Sequence, residues 1–139
     1  MDTALYLAED SSATECYRLL GSVRVGRVVM TLRALPVVLP VTFALDGHHI
    51  VIATAVGSAL DTASEQGIVV AFEADDLDPL TLFGWSVLVT GTVRAITDPV
   101  DVLRAEQFPL VSGVGDEHRH FVCITPGLIS GRSMRKNAV

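Results

Sequence analysis

The sequence predicts a mainly β protein, of α+β type, folded as a small β-barrel with short helices at its periphery. Apolar, β-branched runs of strand length recur along the chain, separated by short helix starts and by Gly, Pro or Asp turn signals. Strands joined by tight turns pair antiparallel, and many short strands of this kind are typical of small barrels. We expect one domain over residues 1–139, with frayed termini at residues 1–11 and 133–139.

Residues 36–63 read as a strand, a tight turn, a second strand and a helix start. Asp46-Gly47 between two apolar runs predicts a hairpin with a type I′ turn, because such a turn needs positive φ and Gly adopts it without strain. The second strand ends before Ser58, which is suited to cap a helix with Asp61 in its first turn. The free N–H groups of such a helix start suit a phosphate or a carboxylate.

Two earlier segments and one proline frame this hairpin. Ser12 and Glu15 have the spacing of a capping box and predict a short helix that closes at Gly21. Residues 23–32 predict a first strand, in which Gly26 marks a bulge or a close approach. Pro40 cannot donate to a ladder, so its strand is expected at an edge, at a strand start or at a bulge, and a ligand fits against such an edge.

The second half of the chain predicts four more strands and one helix. Residues 68–73 read as a buried strand. The acidic residues that follow, Asp75, Asp76 and Asp78, are expected in a solvated loop, because they lack the spacing of a metal site. Residues 84–96 predict the longest strand, which bends at Gly91. Asp98, which precedes a proline, is expected to be the N-cap of a helix. Residues 120–124 and 128–132 predict two short strands separated by a Pro-Gly turn.

Composition and charge exclude several classes of partner. The net charge is −6 and Lys136 is the sole lysine, whereas nucleic-acid binding needs clustered cations, so we expect no nucleic-acid partner. Residues 1–10 lack the basic start of a signal peptide, and no run is long and apolar enough to span a bilayer. Cys16 and Cys123 lie far apart in the sequence, so they do not have the spacing of a pair of metal ligands. We therefore expect a reduced, cytoplasmic protein without a membrane partner.

Motifs in a fixed order along residues 12–132 resemble those of a known family. The chain is similar to the pyridoxamine 5′-phosphate oxidase-like, FMN-binding split-barrel family, and most of all to its small actinobacterial-type members. The motifs that carry the resemblance are Cys16 with Leu19-Leu20, Val25-Gly26-Arg27-Val28, the P-x-x-x-P-V-x-F pattern from Pro36 to Phe43, Thr54-x-x-Gly57-Ser58, Phe72-Glu73, Gly84-Trp85-Ser86-Val87 with Gly91, His120-Phe121-Val122, and Gly131-Arg132.

The resemblance implies a six- or seven-stranded split barrel that forms a homodimer, with FMN in the grooves between subunits. It implies that the flavin ring lies along one strand and is held mainly by backbone atoms of Val38, Leu39, Pro40, Val41 and Thr42. It also implies that the phosphate contacts Thr54, Ser58 and the two residues that follow. Those two residues are basic in the family, but here they are Ala59 and Leu60.

Neutral residues at these two positions weaken the expected phosphate clamp, because a charge-assisted hydrogen bond is about twice as strong as a neutral one. Compensation from Arg27, Arg119 or Arg132 of either subunit is one possibility, and Arg119 is the cation we expect near a bound anion or substrate. Trp85 is expected either to stack on a flavin or to lie in the core or dimer interface. His118 and His120 form an H-x-H pair without a third donor, so no metal is expected.

Two classes of function remain open from the sequence. The first is a flavin-dependent oxidoreductase acting on an unknown small molecule, in which the cofactor carries the chemistry and no catalytic side chain is identified. The second is a non-catalytic split-barrel dimer that binds or senses a small ligand. A deazaflavin-dependent reductase is a further alternative to FMN, as is a barrel without a cofactor.

Overall fold

Eight antiparallel strands form one sheet in the computed structural model, which describes residues 5–136. Three α-helices and one 3₁₀ turn flank the sheet. The elements are β1 (Leu5–Ser11), α1 (Ala13–Leu20), β2 (Val25–Leu32), β3 (Leu35–Thr42), β4 (Ala44–Asp46), β5 (His49–Ala55), α2 (Ala59–Gln66), β6 (Val69–Leu77), β7 (Gly84–Ala95), α3 (Pro99–Ala105), the 3₁₀ turn (Asp116–His118) and β8 (Arg119–Lys136).

The strand order along the sheet is β3-β2-β6-β7-β8-β5-β4, and β1 pairs with β8 beside this path. Alternate residues of the strands point inward and form the main core, which includes Val28, Ile50, Ile52, Val70, Phe72, Val87, Val89, Val122 and Ile124. Phe72 is fully buried and meets the ring of Phe43 edge-on, with centroids 4.8 Å apart. The predicted mainly β split barrel is confirmed, and the main path has seven strands.

Three local predictions on the first 40 residues are confirmed. Gly26 is a close-approach point, since a Cβ built on it would lie 2.3 Å from Cζ of Phe72. It is not a bulge, because β2 and β3 pair there without a register shift. Pro40 lies on β3, the last strand at one side of the sheet. Ser12 caps α1 by accepting a hydrogen bond from the backbone N–H of Glu15 at 3.2 Å.

The turn of the β4–β5 hairpin differs from the predicted type I′. Asp46 pairs with His49, so the two central residues are Gly47 and His48. Gly47 has a φ of 61°, whereas His48 is not among the residues with positive φ. Type I′ requires positive φ at both central positions, so the arrangement follows type II′, which places glycine first.

Several predicted boundaries on the second half of the chain are wrong. Asp75 and Asp76 belong to β6 and not to a loop, because they continue the ladder with β7. The two short strands predicted at 120–124 and 128–132 are parts of β8, which at 18 residues is longer than β7 with 12. The Pro-Gly pair that suggested a turn lies inside β8, at the point where the register with β7 shifts between Thr90 and Gly91.

The segments that the sequence predicted to fray include β1 and the end of β8, which pair with each other from Leu5 with Lys136 to Ser11 with Gly131. Residues 1–4 and 137–139 lie outside the described residues. Within residues 5–136 the α-helices have seven or eight residues, and none is long and apolar enough to cross a membrane.

Candidate functional site

The turn between β5 and α2 brings together two residues of the predicted phosphate site. Ser58 is the N-cap of α2 and accepts a hydrogen bond from the backbone N–H of Asp61 at 3.2 Å. The hydroxyl oxygens of Ser58 and Thr54 lie 2.8 Å apart. The sequence therefore placed both hydroxyls correctly at one turn, because the strand end and the helix cap are separated by only four positions.

Asp61 occupies the inner side of this turn. Its side chain is 3% exposed, and its Oδ2 accepts a hydrogen bond from the backbone N–H of Gly57 at 2.8 Å. Its Oδ1 lies 2.9 Å from Nδ1 of His120. Burial acts to raise the pKa of the Asp61 carboxyl, but the bonds from Gly57 and His120 and the His120 charge outweigh it and hold the pKa below its usual range.

Two further residues of the predicted phosphate site take different places. Leu60 is fully buried in the main core, so its side chain is turned away from any ligand at the turn. Ala59 is half-buried and offers no polar side-chain atom. A backbone N–H that would otherwise suit an anion, that of Gly57, is already bonded to the protein's own carboxylate. The turn thus offers hydroxyl groups but no fixed positive charge.

The predicted flavin strand is β3, and its residues alternate between two faces. Val38 and Pro40 are exposed on the outer face, whereas Leu39 and Val41 pack against the main core. Thr42 anchors the end of the strand, since its hydroxyl accepts a hydrogen bond from the backbone N–H of Val111 at 2.8 Å. As the last strand of the sheet, β3 directs one row of its backbone groups away from the sheet.

Arg119 begins β8, whereas Trp85 lies near the start of β7, opposite the far end of β8. Arg119 is largely buried, pairs with Asp116 at 3.1 Å and covers the ring of Phe121 at 4.8 Å. Trp85 pairs across the sheet with Ser133 and packs, half-buried, against the main core. Within one protomer, Trp85 therefore packs as the core alternative expects.

A charged cluster lies on the outer face of the sheet. Nη1 of Arg27 lies 3.0 Å from Oε1 of Glu73 and 3.3 Å from Oδ2 of Asp75. Burial raises the pKa of the Glu73 carboxyl to about 7, with a further contribution from the hydrogen bond and charge of Asp75, while Arg27 opposes the shift. Leu88 and Ser130 line the small cavity, of about 140 Å³, beside Glu73. The sequence prediction of a solvated acidic loop missed this pair, because it depends on both carboxylates lying on one strand face.

Glu73→Gln is expected to stabilise the protein at high pH and not at low pH. Because the folded pKa of Glu73 exceeds its ordinary value of 4.5, the wild type loses stability as pH rises from 4.5 to about 7. Glutamine removes that loss, and after allowance for solvent screening we expect a Tm higher by about 2 to 4 °C at pH 8. Thermal unfolding of both proteins across this pH range measures the difference.

The matched control is Glu117→Gln, which changes a carboxylate on an exposed side chain outside the cluster. We expect its Tm difference from the wild type to stay constant with pH. A Tm difference for Glu73→Gln that is equally constant would contradict the raised pKa of Glu73.

Residues 12–133 match the family described as pyridoxamine 5′-phosphate oxidase. The chain belongs to this family. The resemblance inferred from the sequence motifs is thereby confirmed. An uncharacterized protein of Mycobacterium tuberculosis, Rv0080, is 41% identical over 123 residues, which cover 84% of this chain and 79% of the relative.

Two solved structures show how closely this pyridoxamine 5′-phosphate oxidase family member matches known barrels. A protein of Mycobacterium smegmatis described as FAD binding is 36% identical, with a TM-score of 0.79, and covers 90% of this chain and 97% of its own. A protein of Mesorhizobium loti is 21% identical, with a TM-score of 0.72 and coverage of 95% and 98%, which supports the fold alone.

The histidine pair of this family member does not form a metal centre in the described part of the chain. His118 belongs to the 3₁₀ turn, whereas His120 lies on β8 and bonds to Asp61, so the two rings do not share a strand face. Among residues 5–136 no group of three or more His, Cys, Asp or Glu side chains could hold a metal ion.

Proposed function

We propose that the protein is a homodimeric flavin-binding oxidoreductase acting on an unidentified small molecule, with its flavin along β3 and its phosphate end at the β5–α2 turn. The observation that carries the proposal is the pairing of the Thr54 and Ser58 hydroxyls, 2.8 Å apart, at the start of α2. β3 also contacts β5, the strand that leads into this turn. The Mycobacterium smegmatis relative described as FAD binding supports a flavin as the cofactor.

The residues of the turn favour FAD over FMN. A phosphate monoester carries close to two negative charges at neutral pH. The neighbouring carboxylate of Asp61, together with neutral side chains at Ala59 and Leu60, opposes such a concentrated charge. A pyrophosphate spreads its charge over two groups, and the adenosine half of FAD adds contact area. We therefore propose FAD as the cofactor, although the sequence motifs pointed to FMN.

A second copy of the chain is the partner that we propose for the outer face of the sheet. The strand registers place Val38, Val29, Ala71, Thr90 and Leu128 in one row across β3, β2, β6, β7 and β8. Leu128 is 73% exposed and Val38 is 57% exposed. This row, which is apolar except for Thr90, is of a kind typical of an interaction site on a protomer surface.

The chain's own residues bind and orient the cofactor in this proposal. A bound flavin would supply the hydride or electron transfer, so no acid or base of the protein is required for that step. Outward-facing backbone groups of β3 would hydrogen-bond the ring, and the hydroxyls of Thr54 and Ser58 would hold the phosphate end. The second protomer would cover the ring and exclude water from it.

Release and chromatographic identification of the flavin in the purified protein test the cofactor. We expect FAD, and we expect the protein to prefer FAD to FMN by about tenfold in Kd, the ratio that corresponds to about 1.4 kcal/mol. Tighter binding of FMN would favour the cofactor implied by the sequence motifs. Retention of a deazaflavin in place of both would identify the deazaflavin-dependent alternative.

Oxidoreductase activity is tested separately from flavin binding. The flavin-loaded protein is mixed anaerobically with NADH, NADPH or a reduced deazaflavin, and the flavin absorbance is followed. We expect at least one donor to bleach the flavin and a small-molecule oxidant to restore its absorbance. A flavin that no donor reduces would favour the non-catalytic ligand-binding dimer.

Ser58→Ala is expected to lower both stability and flavin affinity. Loss of the N-cap costs about 1 kcal/mol of unfolding free energy, and loss of one hydroxyl contact weakens flavin binding by about 0.5 to 2 kcal/mol. Ser12→Ala is the matched control, because Ser12 caps α1 through the same bond to the third following N–H. We expect equal losses of Tm in the two variants but weaker FAD binding in Ser58→Ala alone. Unchanged FAD affinity in Ser58→Ala would remove Ser58 from the site.

A further inference from the structure

Asp61 and His120 form a pair that reaches from the interior to the surface at the β5–α2 turn. The Asp61 side chain is 3% exposed, whereas that of His120 is 50% exposed. Both carboxylate oxygens of Asp61 are engaged, one by Gly57 N–H and one by Nδ1 of His120. Burying a carboxylate is costly unless it is paired and hydrogen-bonded, so this arrangement strongly constrains the His120 ring.

The bond to Asp61 determines which ring nitrogen is left for a ligand. With Nδ1 held by the carboxylate, Nε2 lies on the opposite side of the imidazole, and the part of the chain that the structure describes provides no partner for it. A buried carboxylate that orients an exposed imidazole in this way is a common device at binding and catalytic sites. The pair therefore presents one defined polar atom to solvent.

His120 lies next to the hydroxyls of the turn. It is the cross-strand partner of Thr54 in the β5–β8 ladder, and directly paired residues project from the same face of a sheet. The hydroxyl of Thr54 in turn bonds to that of Ser58. Two hydroxyls and one imidazole thus belong to one polar site, in which His120 is the group able to carry a positive charge.

We propose that His120, oriented by Asp61, binds a phosphate oxygen of the flavin through Nε2 and supplies the positive charge that the turn otherwise lacks. This inference rests on the proposed flavin function and adds to it a specific residue and a proton linkage. Because Nδ1 already donates to the carboxylate of Asp61, Nε2 can donate to a phosphate oxygen only when the ring carries both protons, so we expect flavin affinity to fall as pH rises.

Four charged groups face His120 from the elements around it. Asp61 on α2 contacts the ring directly, with its Oδ1 2.9 Å from Nδ1. Arg119, the preceding residue on β8, is paired with Asp116 of the 3₁₀ turn. Glu106, which follows α3, lines a cavity of about 170 Å³ together with Asp116, Arg119 and His120. Arg119 is largely buried and paired with Asp116, whereas the ring of His120 is half-exposed and its Nε2 faces away from Asp61, so Nε2 is the better donor for an added anion.

The test compares FAD and riboflavin binding to the wild type and to His120→Gln at about pH 5.5 and pH 8. Riboflavin has the same ring without a phosphate, so it separates a contact to the phosphate from a contact to the ring. A lost charge-assisted hydrogen bond corresponds to about a tenfold change in Kd. We expect the wild type to bind FAD about tenfold more tightly at the lower pH, and His120→Gln to lose that difference while binding riboflavin normally.

Two further variants separate orientation from folding. Asp61→Asn keeps an oxygen for Gly57 N–H but removes the charge, and we expect it to flatten the pH profile of FAD binding as His120→Gln does. His49→Gln changes an exposed histidine at the start of β5 and is expected to leave the profile unchanged. Thermal unfolding confirms that each variant is folded.

The outcomes that overturn the inference are distinct from those that overturn the proposed function. A wild type that binds FAD with the same affinity and pH dependence as His120→Gln contradicts the role of His120 alone. An equal loss of FAD and riboflavin binding in His120→Gln contradicts a contact to the phosphate. A wild type that binds neither flavin at either pH refutes the proposed function itself.

Discussion

Gly26→Ala is expected to destabilise the barrel by about 2 to 3 kcal/mol, which lowers Tm by about 10 °C. An added Cβ would lie 2.3 and 2.7 Å from two ring atoms of Phe72 and 2.8 Å from the carbonyl oxygen of Glu73. Phe72 is fully buried in the main core and cannot swing outward, and the carbonyl belongs to the strand backbone. Relief of the clash therefore requires β2 and β6 to separate.

The matched control for this substitution is Gly127→Ala. Gly127 is also a glycine within a strand, but its built Cβ meets only the carbonyl oxygen of Thr90, at 3.4 Å. We expect Gly127→Ala to unfold within about 3 °C of the wild type, an effect below 1 kcal/mol. Equal Tm values for Gly26→Ala and the wild type would show that the β2–β6 contact is looser than the structure indicates.

Leu128→Asp is expected to convert the proposed dimer to a monomer and to weaken FAD binding by about 100-fold. Leu128 is highly exposed on the outer face of β8, and a symmetric dimer would bury the substituted carboxylate twice. The same change costs little in an isolated protomer, because the side chain there faces water. Sedimentation and FAD titration measure the two effects on one preparation.

Leu103→Asp is the matched control for the interface. Leu103 is also highly exposed, but it lies on α3 and not on the apolar row of the sheet. We expect this variant to sediment as the wild type does and to bind FAD with unchanged affinity. A Leu128→Asp protein that remains dimeric would place the contact between copies elsewhere on the surface.

Features determined by a few consecutive residues could be predicted from the sequence. Ser12, Ser58 and Asp98 each cap a helix as predicted, because a cap depends on one side chain and on N–H groups two or three residues away. Pro40 was correctly placed at a sheet edge, since proline lacks the donor that an inner strand needs. The family resemblance also depended on short motifs in order.

Features determined by pairing across the chain could not be predicted in the same way. The bond between Asp61 and His120 joins residues 59 positions apart, and it requires the register of β5 against β8. The pairing of β1 with the end of β8 likewise joins the two termini. No local signal encodes such registers, which follow from the packing of the whole barrel.

The role of Thr54, Ser58 and the β3 residues in flavin binding stays a prediction, and so do the dimer and a cytoplasmic location. What the structure adds is the carboxylate of Asp61 inside the turn and the imidazole of His120 beside it. The sequence placed Asp61 in the first turn of the helix, three residues after the cap. It did not predict that Asp61 would be buried against a histidine of another strand.

The most direct test of the account is a titration of the flavin-free protein with FAD, followed by flavin fluorescence and then by gel filtration. We expect saturation at about one FAD per subunit, with the flavin absorbance bands coeluting with a dimer. Failure of FAD, FMN and a deazaflavin alike to saturate the protein would contradict the account and leave only the barrel established.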